Sequence, residues 1–291
     1  MVMPVRFGYN PQTAANNTFQ KEGFEEKAQE NALREFTTYA SLLKANKVEV
    51  VIAEDTEVPY TPDSIFPNNW FSTHEDGTLV LYPMFAVNRR NERKSEFLES
   101  IRRNFEVKRL IDLTWWESEN QFLEGTGSMI FDRENKIAYA GRSPRTCEPV
   151  IADFCKQMGY TAVIFDAYDQ NGALIYHTNV MMSVGTKFAV ICLSAITDEQ
   201  QRQAVVESLE RTGKKVIDIS FEQMNNYAGN MLELKTSDGK PILVMSSTAR
   251  KSLTPEQAKE LSSYYKLLSP GLEYIENNGG GSARCMLAEI Y

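Results

Sequence analysis

The sequence predicts an α/β protein in which one small unit of strands and helices is repeated around a ring. Two observations predict this class. Helical and strand patterns alternate along the chain, and a hairpin pattern of two apolar runs around a polar turn returns at nearly constant spacing. A unit of this size cannot bury its own apolar face, so its copies must pack on one another. A near-closed ring buries all of these faces at once.

The alternation follows from the spacing of apolar residues. An amphipathic helix is predicted over residues 24–46, and it leads into a strand at 48–53 ("VEVVIA"). Further helices are predicted near 91–104, 146–158, 197–211 and 254–266, the last opened by Thr254-Pro255-Glu256-Gln257. Strands that close a helical crossover are predicted at 106–112, 161–166, 214–219 and 272–276.

The hairpin pattern is the more informative of the two. It reads "NWFSTHEDGTLVLYPM", "GSMIFDRENKIAYAG", "NVMMSVGTKFAVICL" and "GNMLELKTSDGKPILVMSS", and a fifth copy begins with "SARCMLAEIY". The equivalent residues Trp70, Ser128, Asn179, Asn230 and Ala283 are 58, 51, 51 and 53 residues apart. A period of about fifty residues indicates a repeat architecture whose unit is a hairpin, a helix and a further strand.

The fifth copy lacks its second strand and its helix. The N-terminal helix and strand can supply them, which would fasten the two chain ends together. We therefore expect a single catalytic domain over residues 1–291. The alternative is an ordinary α/β sheet whose hairpins merely resemble one another, but the agreement of the intervals favours the ring.

Composition and charge exclude several classes of function. The chain has 291 residues, 42% hydrophobic and 24% charged, with a net charge of −8, and its longest basic run is "NRRNERK". An acidic chain of this kind is a poor ligand for nucleic acid or anionic membranes. No apolar stretch approaches a membrane span, and the N-terminal residues lack the apolar core of a secretory signal. We expect a cytoplasmic protein with a small-molecule substrate and make no prediction of its oligomeric state.

The four cysteines and two histidines make a metal site improbable. No CxxC pair occurs, and His74 lies in the turn "THEDGT", which we expect to be exposed. No metal or cofactor is therefore predicted. Cys147 and Cys155 lie at helical spacing and Cys192 lies in an apolar strand, so a structural role is expected for these three. Cys285 is the remaining candidate for reactivity.

Polar residues stand immediately before the hairpins, at positions that point towards the centre of such a ring. The residues concerned are Asp63, Asn68 and Asn69 in the first copy, Glu124 in the second, His177 in the third and Cys285 in the fifth. Taken singly these signals are weak, because a lone Cys or His is more often a core residue. The run Gly279–Gly281 is either a flexible turn or a place where a substrate approaches the backbone closely.

At this set of residues the chain resembles a known family. "PDSIF" followed by a polar pair, "LEGTGS", "YHTNV" and "GGGSARC" resemble the ordered signatures of dimethylargininase, arginine deiminase and the bacterial citrulline-utilisation hydrolases. These belong to the guanidino-group modifying, or amidinotransferase, superfamily. The resemblance runs from about residue 60 to residue 291. It implies a five-bladed, pseudo-symmetric α/β propeller of ββαβ units with a central active site, also called a pentein propeller.

The resemblance also implies roles for individual residues. Cys285 would attack the central carbon of a guanidinium or ureido group and form a covalent intermediate that water hydrolyses. His177 would protonate the leaving amine and then activate water, for which a pKa near neutrality is suitable. Glu124 would orient His177 or bind a substrate nitrogen, and Asp63 would contact the substrate. Arg145 in "GRSPRT" and, less securely, Arg90 in "NRRNE" would bind the substrate carboxylate.

One departure from the family bears on the substrate. Relatives that bind guanidinium usually place an acidic pair where this chain has Asn68-Asn69. Amides donate as well as accept hydrogen bonds, so they suit a ureido group better than a guanidinium. We therefore expect hydrolysis of citrulline to ornithine, ammonia and carbon dioxide. Arginine deiminase, dimethylargininase and amidinotransferase activities stay open, as does a non-catalytic propeller that only binds an amino acid.

Overall fold

The structure is a computed structural model that describes residues 1–17, 19–21 and 27–291. The predicted N-terminal helix over 24–46 is observed as an α-helix from Ala28 to Ala45. Residues 24–26 of that prediction lie outside the described residues.

The strands of the described residues are short. In chain order they are β1 (Val2–Met3), β2 (Ala53–Glu54), β3 (Phe71–Thr73), β4 (Thr78–Leu81), β5 (Arg109–Asp112), β6 (Ile130–Asp132), β7 (Ile137–Gly141), β8 (Thr161–Phe165), β9 (Met182–Val184), β10 (Phe188–Ile191), β11 (Lys215–Asp218), β12 (Leu232–Lys235), β13 (Pro241–Val244) and β14 (Lys266–Leu268).

The α-helices are α1 (Pro11–Ala14), α2 (Ala28–Ala45), α3 (Ser95–Asn104), α4 (Gly125–Ser128), α5 (Glu148–Met158), α6 (Thr178–Met181), α7 (Glu199–Arg211), α8 (Phe221–Asn225), α9 (Ser247–Ser252), α10 (Pro255–Tyr264) and α11 (Glu273–Gly279). Single 3-10 segments cover Pro67–Asn69, Val87–Glu92, Thr114–Glu119 and Leu193–Ala195. Helix α10 begins with the predicted N-terminal signal, because the Thr254 hydroxyl and the Gln257 side chain cap each other's backbone N–H groups.

Four three-stranded sheets share one topology. Their strand orders are β3-β4-β5, β6-β7-β8, β11-β10-β9 and β12-β13-β14. Taken in chain order, the first two strands of each sheet form an antiparallel hairpin, and the third strand pairs in parallel with the second. The parallel pairing requires a crossover, and α3, α5, α7 and α10 provide it. The predicted unit of hairpin, helix and strand is thus observed four times.

The two chain ends meet beside a smaller sheet. Strands β1 and β2 pair in parallel with α2 between them in the chain. The C-terminal residues lie against this region: the Tyr39 hydroxyl of α2 donates to the carbonyl of Ala283 at 3.3 Å, and Ile290 packs into the apolar cluster that contains Val2. The fold is therefore a mixed α/β arrangement of five small sheets in the described residues.

Two of the predicted strands differ from the structure. The segment 272–276 is helical, forming the start of α11, and the third strand of that unit is β14. Leu272, Ile275 and Asn278 are all buried at a spacing of three residues, which is a helical period. Of the strand predicted at 48–53, only Ala53 is in a strand, β2, which pairs with the two-residue β1.

The prediction for His74 is wrong as well. This side chain is buried, with 2% of its surface exposed, although the turn beside it is polar. Cys155 and Cys192 are buried and Cys147 is half-buried. Among the described residues, no helix is both long and apolar enough to cross a membrane.

Candidate active site

Short helical turns precede the first strands of the units and carry the polar residues that the sequence singled out. Asn69 ends the 3-10 turn before β3, Glu124 is the N-cap of α4 before β6, and His177 is the N-cap of α6 before β9. Cys285 lies in a tight turn in which its backbone N–H donates to Ser282 at 2.9 Å. Equivalent positions in successive units therefore deliver different side chains to one place.

These side chains surround a small cavity of about 20 Å³. Its lining residues are Thr13, Asn17, Asp63, Phe66, Asn69, Arg89, Arg145, Tyr176, His177, Gly279, Gly280, Gly281 and Cys285. Five of the predicted site residues line it: Cys285, His177, Asp63, Asn69 and Arg145. The volume is about that of one water molecule, so an amino acid could enter only if lining side chains moved.

The sulfur of Cys285 receives two amide donors. Asn179 Nδ2 lies 3.4 Å and Asn230 Nδ2 lies 3.2 Å from Sγ. The Asn230 amide has a fixed orientation, because its Oδ1 accepts the backbone N–H of Arg284 at 2.9 Å. Two N–H groups directed at the sulfur stabilise negative charge on it. Sequence reasoning did not assign these two residues to the site, although they are the anchor positions of the third and fourth repeats.

His177 and Glu124 form a buried pair. His177 Nε2 lies 2.8 Å from Glu124 Oε2, and both side chains are almost completely buried. Burial raises the pKa of Glu124, but Arg145 and the hydrogen bond from His177 outweigh it and lower the pKa to about 2. Burial lowers the pKa of His177 to about 4, although Glu124 acts in the opposite direction. At neutral pH the carboxylate is charged and the imidazole is neutral.

This charge state fixes the tautomer of His177. An ionised carboxylate only accepts hydrogen bonds, so Nε2 carries the proton and Nδ1 is the basic nitrogen. No hydrogen bond joins Nδ1 to any other described residue, and His177 lines the cavity. The structure therefore favours His177 as a base first, and as an acid only after it has taken up a proton. The sequence-based expectation was a pKa near neutrality.

Two further groups contact the carboxylate of Glu124. Its Oε1 accepts the backbone N–H of Phe85 at 3.0 Å, and Arg145 Nη1 lies 3.5 Å from Oε2. Gly127 allows Asn69 and His177 to approach this turn, because a Cβ there would lie 2.5 Å from Asn69 Nδ2 and 2.9 Å from His177 Nδ1. A side chain at this position is sterically excluded.

Asp63 lines the cavity and has one carboxylate oxygen without a hydrogen-bond partner among the described residues. Its Oδ2 accepts the Asn10 amide at 2.7 Å and the Thr13 hydroxyl at 3.0 Å. Its Oδ1 is buried and has no partner among the described residues. Burial raises the pKa of Asp63, and Arg89 and Asn10 partly offset the effect.

The two asparagines of the predicted pair are placed differently. Asn69 lines the cavity, its Oδ1 accepts from Arg89 Nη1 at 2.7 Å, and its Nδ2 is buried with no partner in the described part of the chain. Asn68 does not line the cavity. Its backbone carbonyl accepts the Thr126 hydroxyl at 3.1 Å. Of the pair, the structure brings only Asn69 to the other site residues.

The two predicted arginines also differ. Arg145 is buried in the site, where Nη2 donates to the Thr13 carbonyl at 2.8 Å and Nε donates to Asn16 Oδ1 at 2.9 Å. Arg90 lies outside the cavity, partly exposed, and binds the Met84 carbonyl and Glu117. Its neighbour Arg89 lies inside. Adjacent positions on a 3-10 segment point about 120° apart, so the motif "NRRNE" located the element but not the residue.

A second cavity, of about 820 Å³, lies among the first strands of several units. It contains none of the predicted site residues. Its buried charges are paired with one another, with Lys214 at 3.0 Å from Asp132 and Arg284 at 3.5 Å from Glu289. The smaller cavity, which combines a thiol, an imidazole, a carboxylate and unpartnered polar atoms, is the candidate active site. No group of three or more described His, Cys, Asp or Glu residues is arranged to hold a metal ion.

A repeated ββαβ fold with a thiol, a histidine and a glutamate at its centre defines a class of enzymes, the guanidino-group modifying superfamily, which act on C–N bonds. Residues 3–291 match the family described as N,N dimethylarginine dimethylhydrolase, eukaryotic, and the chain belongs to this family. The predicted superfamily and the prediction of an enzyme are thereby confirmed. Comparison with curated proteins gives no significant match.

Solved structures show the same fold. The apo structure of ArgZ, an arginine dihydrolase from the ornithine-ammonia cycle in cyanobacteria, is 16% identical with a TM-score of 0.78 over 100% of this chain. This chain spans 40% of that protein, and it spans 95% of the substrate-bound N-terminal domain of ArgZ, which is 16% identical over 98% of this chain with a TM-score of 0.76. A dimethylarginine dimethylaminohydrolase with an S-methyl-L-thiocitrulline adduct is 14% identical with a TM-score of 0.68, covering 98% of this chain and 96% of the other.

Proposed function

We propose that this protein is a cysteine hydrolase that cleaves the ureido group of citrulline and releases ornithine, ammonia and carbon dioxide. One observation carries the proposal. Beside Cys285 and His177, two residues that line the cavity each have a buried polar atom with no partner among the described residues, the donor Asn69 Nδ2 and the acceptor Asp63 Oδ1. A ureido group offers the complementary pair, a carbonyl oxygen that accepts and N–H groups that donate.

The proposed reaction uses the tautomer inferred for His177, with the proton on Nε2 and Nδ1 as the base. His177 Nδ1 takes the proton of the Cys285 thiol, and the thiolate attacks the ureido carbon. The imidazolium then gives this proton to the departing ornithine amine, so that the C–N bond breaks and a carbamoyl group remains on the sulfur. His177 next takes a proton from water, the hydroxide attacks the thiocarbamate, and the returning proton regenerates the thiol. The released carbamic acid decomposes to ammonia and carbon dioxide.

The other site residues have supporting roles in this proposal. Glu124 keeps His177 in the required tautomer and stabilises its protonated form. Asn179 and Asn230 stabilise the thiolate, and Asp63 and Asn69 bind the ureido group. Arg145 is proposed to bind the substrate carboxylate, for which it must exchange its bonds to Thr13 and Asn16. No role in the reaction is proposed for Arg90, because it lies outside the cavity.

We further propose that the chain is one catalytic domain with five blades. The four observed ββαβ units would be four of the blades. Strand β1, helix α2 and strand β2 would form the fifth, together with the C-terminal residues that contain Cys285. Closing the ring with both chain ends would bring the nucleophile back to the turns that carry Glu124 and His177.

A second candidate is hydrolysis of a guanidinium substrate such as arginine or a methylated arginine. The buried charges favour it, because three carboxylates, Asp63, Glu92 and Glu124, face two guanidinium groups, Arg89 and Arg145. Burial raises the pKa of Asp63, and it raises the pKa of Glu92 to about 7, so a bound cation would favour the ionised form of both. The names of the family and of the neighbouring structures also refer to arginine and dimethylarginine.

The test is a substrate comparison followed by trapping of the intermediate. Purified protein is assayed with citrulline, arginine and dimethylarginine, with and without an added amine acceptor, and quenched samples are analysed by mass spectrometry. We expect ornithine from citrulline and a carbamoyl group on the peptide that contains Cys285. Cys285→Ser should abolish both signals, with a loss of turnover of roughly 10⁴-fold or more.

Cys147→Ser is the matched control, because this half-buried thiol lies outside the cavity. It should retain full turnover. Turnover of arginine without turnover of citrulline would contradict the ureido assignment. If the protein bound citrulline but did not hydrolyse it, the proposed citrulline hydrolase activity would be contradicted.

A further inference from the structure

The side-chain amide of Asn69 is held in one orientation by Arg89. Arg89 Nη1 lies 2.7 Å from Asn69 Oδ1, and both side chains are buried. A guanidinium carries only donors, so the atom of Asn69 that faces it must be the oxygen. The NH₂ group of Asn69 is thereby turned away from Arg89, and it is buried with no partner in the described residues.

Arg89 itself is held in place, because turning away from Asn69 would break its hydrogen bonds to Glu92 and Phe66. Glu92 binds it through two oxygens, with Oε1 at 2.7 Å from Nε and Oε2 at 2.9 Å from Nη2. Nη2 also donates to the carbonyl of Phe66 at 3.2 Å. Glu92 is completely buried, and a two-bond contact of this type fixes the plane of the guanidinium as well as its position. The 3-10 segment Val87–Glu92 thus holds a donor group rigidly at the cavity wall.

We propose that Arg89 is a positioning residue for substrate choice: by fixing the Asn69 amide, it makes the cavity accept a ureido oxygen and reject a guanidinium nitrogen. The inference rests on the proposed function and deepens it. A ureido oxygen at Asn69 Nδ2 satisfies that donor. A guanidinium in the same place sets N–H against N–H and leaves both groups without an acceptor.

The expected size of this selection follows from the cost of an unpaired buried donor. A missing hydrogen bond of this kind changes kcat/KM by roughly 10- to 100-fold, and more where the rejected group is charged. The measured quantity is the ratio of kcat/KM for citrulline to kcat/KM for arginine. A purely structural role of Arg89 would lower both values and leave this ratio unchanged.

The first experiment releases the Asn69 amide. Arg89→Met combined with Glu92→Met removes both charges of the pair, which avoids an unpaired buried carboxylate. With no donor at Oδ1 the amide can turn over, and the ratio should fall by roughly tenfold or more. Arg89→Lys keeps a group that can only donate, so it should retain part of the selection. The matched control is Arg93→Met, which removes an arginine bound to Glu117 outside the cavity and should leave the ratio unchanged.

The second experiment replaces the donor. Asn69→Asp keeps the shape of the side chain and gives Arg89 a stronger partner, but it presents an acceptor to the cavity. The ratio should fall by about 100-fold or more, with arginine gaining in relative terms. Thermal unfolding and the rate of Cys285 alkylation report whether each variant is folded with its site intact, so a variant that fails these checks is replaced by Arg89→Gln.

The outcomes separate this inference from the proposed function. If the unmodified protein hydrolyses arginine and not citrulline, both are overturned at the first measurement. If it prefers citrulline but the ratio is the same in Asn69→Asp and in every folded Arg89 variant, only the positioning role is overturned. The positioning role is supported if the ratio falls in Asn69→Asp and in the Arg89→Met, Glu92→Met double variant. Arg89→Lys should then keep part of the ratio, and Arg93→Met should leave it unchanged.

Discussion

The two histidines of this chain lie in two buried regions that look alike by burial and differ in their hydrogen bonds. His74 has both ring nitrogens engaged, Nε2 by the Ser72 hydroxyl at 3.0 Å and Nδ1 by Arg133 at 3.2 Å. Its ring also lies among aromatic side chains, with centroids 5.9 Å from Phe131 and 6.2 Å from Tyr160. His177 has one nitrogen bound to Glu124, and the other is free for a ligand in a cavity.

This difference separates a structural site from a chemical one. Burial lowers the pKa of both residues, to about 3 for His74 and to about 4 for His177, so a shifted pKa does not distinguish them. What distinguishes them is whether buried polar atoms are left without partners. Around His177, Asp63 Oδ1 and Asn69 Nδ2 have no partner among the described residues, and both residues line the cavity, where a ligand can complete them. Asn68, Trp70, Ser183 and Asn278 also have unpartnered buried atoms in the described part of the chain, but they do not line this cavity.

Within this comparison, the largest effect is expected from replacing each of the two histidines in turn. His177→Gln keeps a donor to Glu124 but removes the base, and we expect kcat to fall by roughly 10²- to 10⁴-fold. His74→Gln should leave kcat within about twofold and lower the free energy of unfolding by about 1–3 kcal/mol, because it disturbs a satisfied core network. Steady-state kinetics and denaturant unfolding of both variants test the comparison. A large loss of kcat in His74→Gln would show that the two regions are not functionally distinct.

A smaller loss of kcat is expected from removing one of the two side-chain amides that donate to the thiol of Cys285. Asn230→Ala removes the donor 3.2 Å from Sγ, so the thiolate loses one stabilising contact and kcat should fall roughly tenfold. The rate of Cys285 alkylation at fixed pH should fall in parallel. Asn226→Ala is the control, because that residue is half-buried outside the cavity and its amide donates to the Glu222 carbonyl. An unchanged alkylation rate in a folded Asn230→Ala variant would rule out this role.

The smallest effect is expected in how the free energy of unfolding depends on pH. Each histidine has a folded-state pKa below its ordinary value of 6.5, so the unfolded chain binds more protons as the pH falls below 6.5. The stability that each neutral buried imidazole contributes is therefore complete above pH 6.5 and is lost progressively towards pH 4. Each contributes a slope of up to about 1.4 kcal/mol per pH unit in this window.

His74→Gln should remove one of these contributions. Denaturant unfolding at pH 6.5, 5.5 and 4.5 should therefore show a shallower loss of stability in this variant than in the unmodified protein. The difference between the two proteins isolates His74 from other titrating groups. Equal slopes would mean that His74 is protonated in the folded state and that its network differs from the one described.

Much of the fold could be predicted from the sequence because each unit is specified locally. Helices α3, α5, α7 and α10 and the four hairpins lie close to their predicted ranges, since apolar spacing and turn residues are local signals. The segment 272–276 failed because a short apolar run fits either a strand or a buried helix. Leu272 and Ile275 are buried on one side of α11, and that packing decides between the two.

Part of the candidate site could also be predicted, because several of its residues lie in local sequence motifs. Cys285, His177, Glu124 and Asp63 stand in motifs at repeat boundaries, and the structure brings them together. Arg89 was not found, because it is next to Arg90 in the same motif and only the orientation of the 3-10 segment separates them. Asn179 and Asn230 were seen as repeat anchors, but nothing in one sequence shows that their side chains meet a sulfur.

The repeated unit, its period and the side chains placed before each hairpin can be read from the amino-acid sequence, because periodicity and turn chemistry depend on neighbouring residues. The basic nitrogen of His177, the arginine that lines the cavity and the direction of the Asn69 amide follow from the folded structure. These depend on contacts between residues distant in the chain, such as Arg284 with Asn230 and Glu124 with His177. Hydrogen-bond direction is set by the partner, and the partner is supplied by the fold.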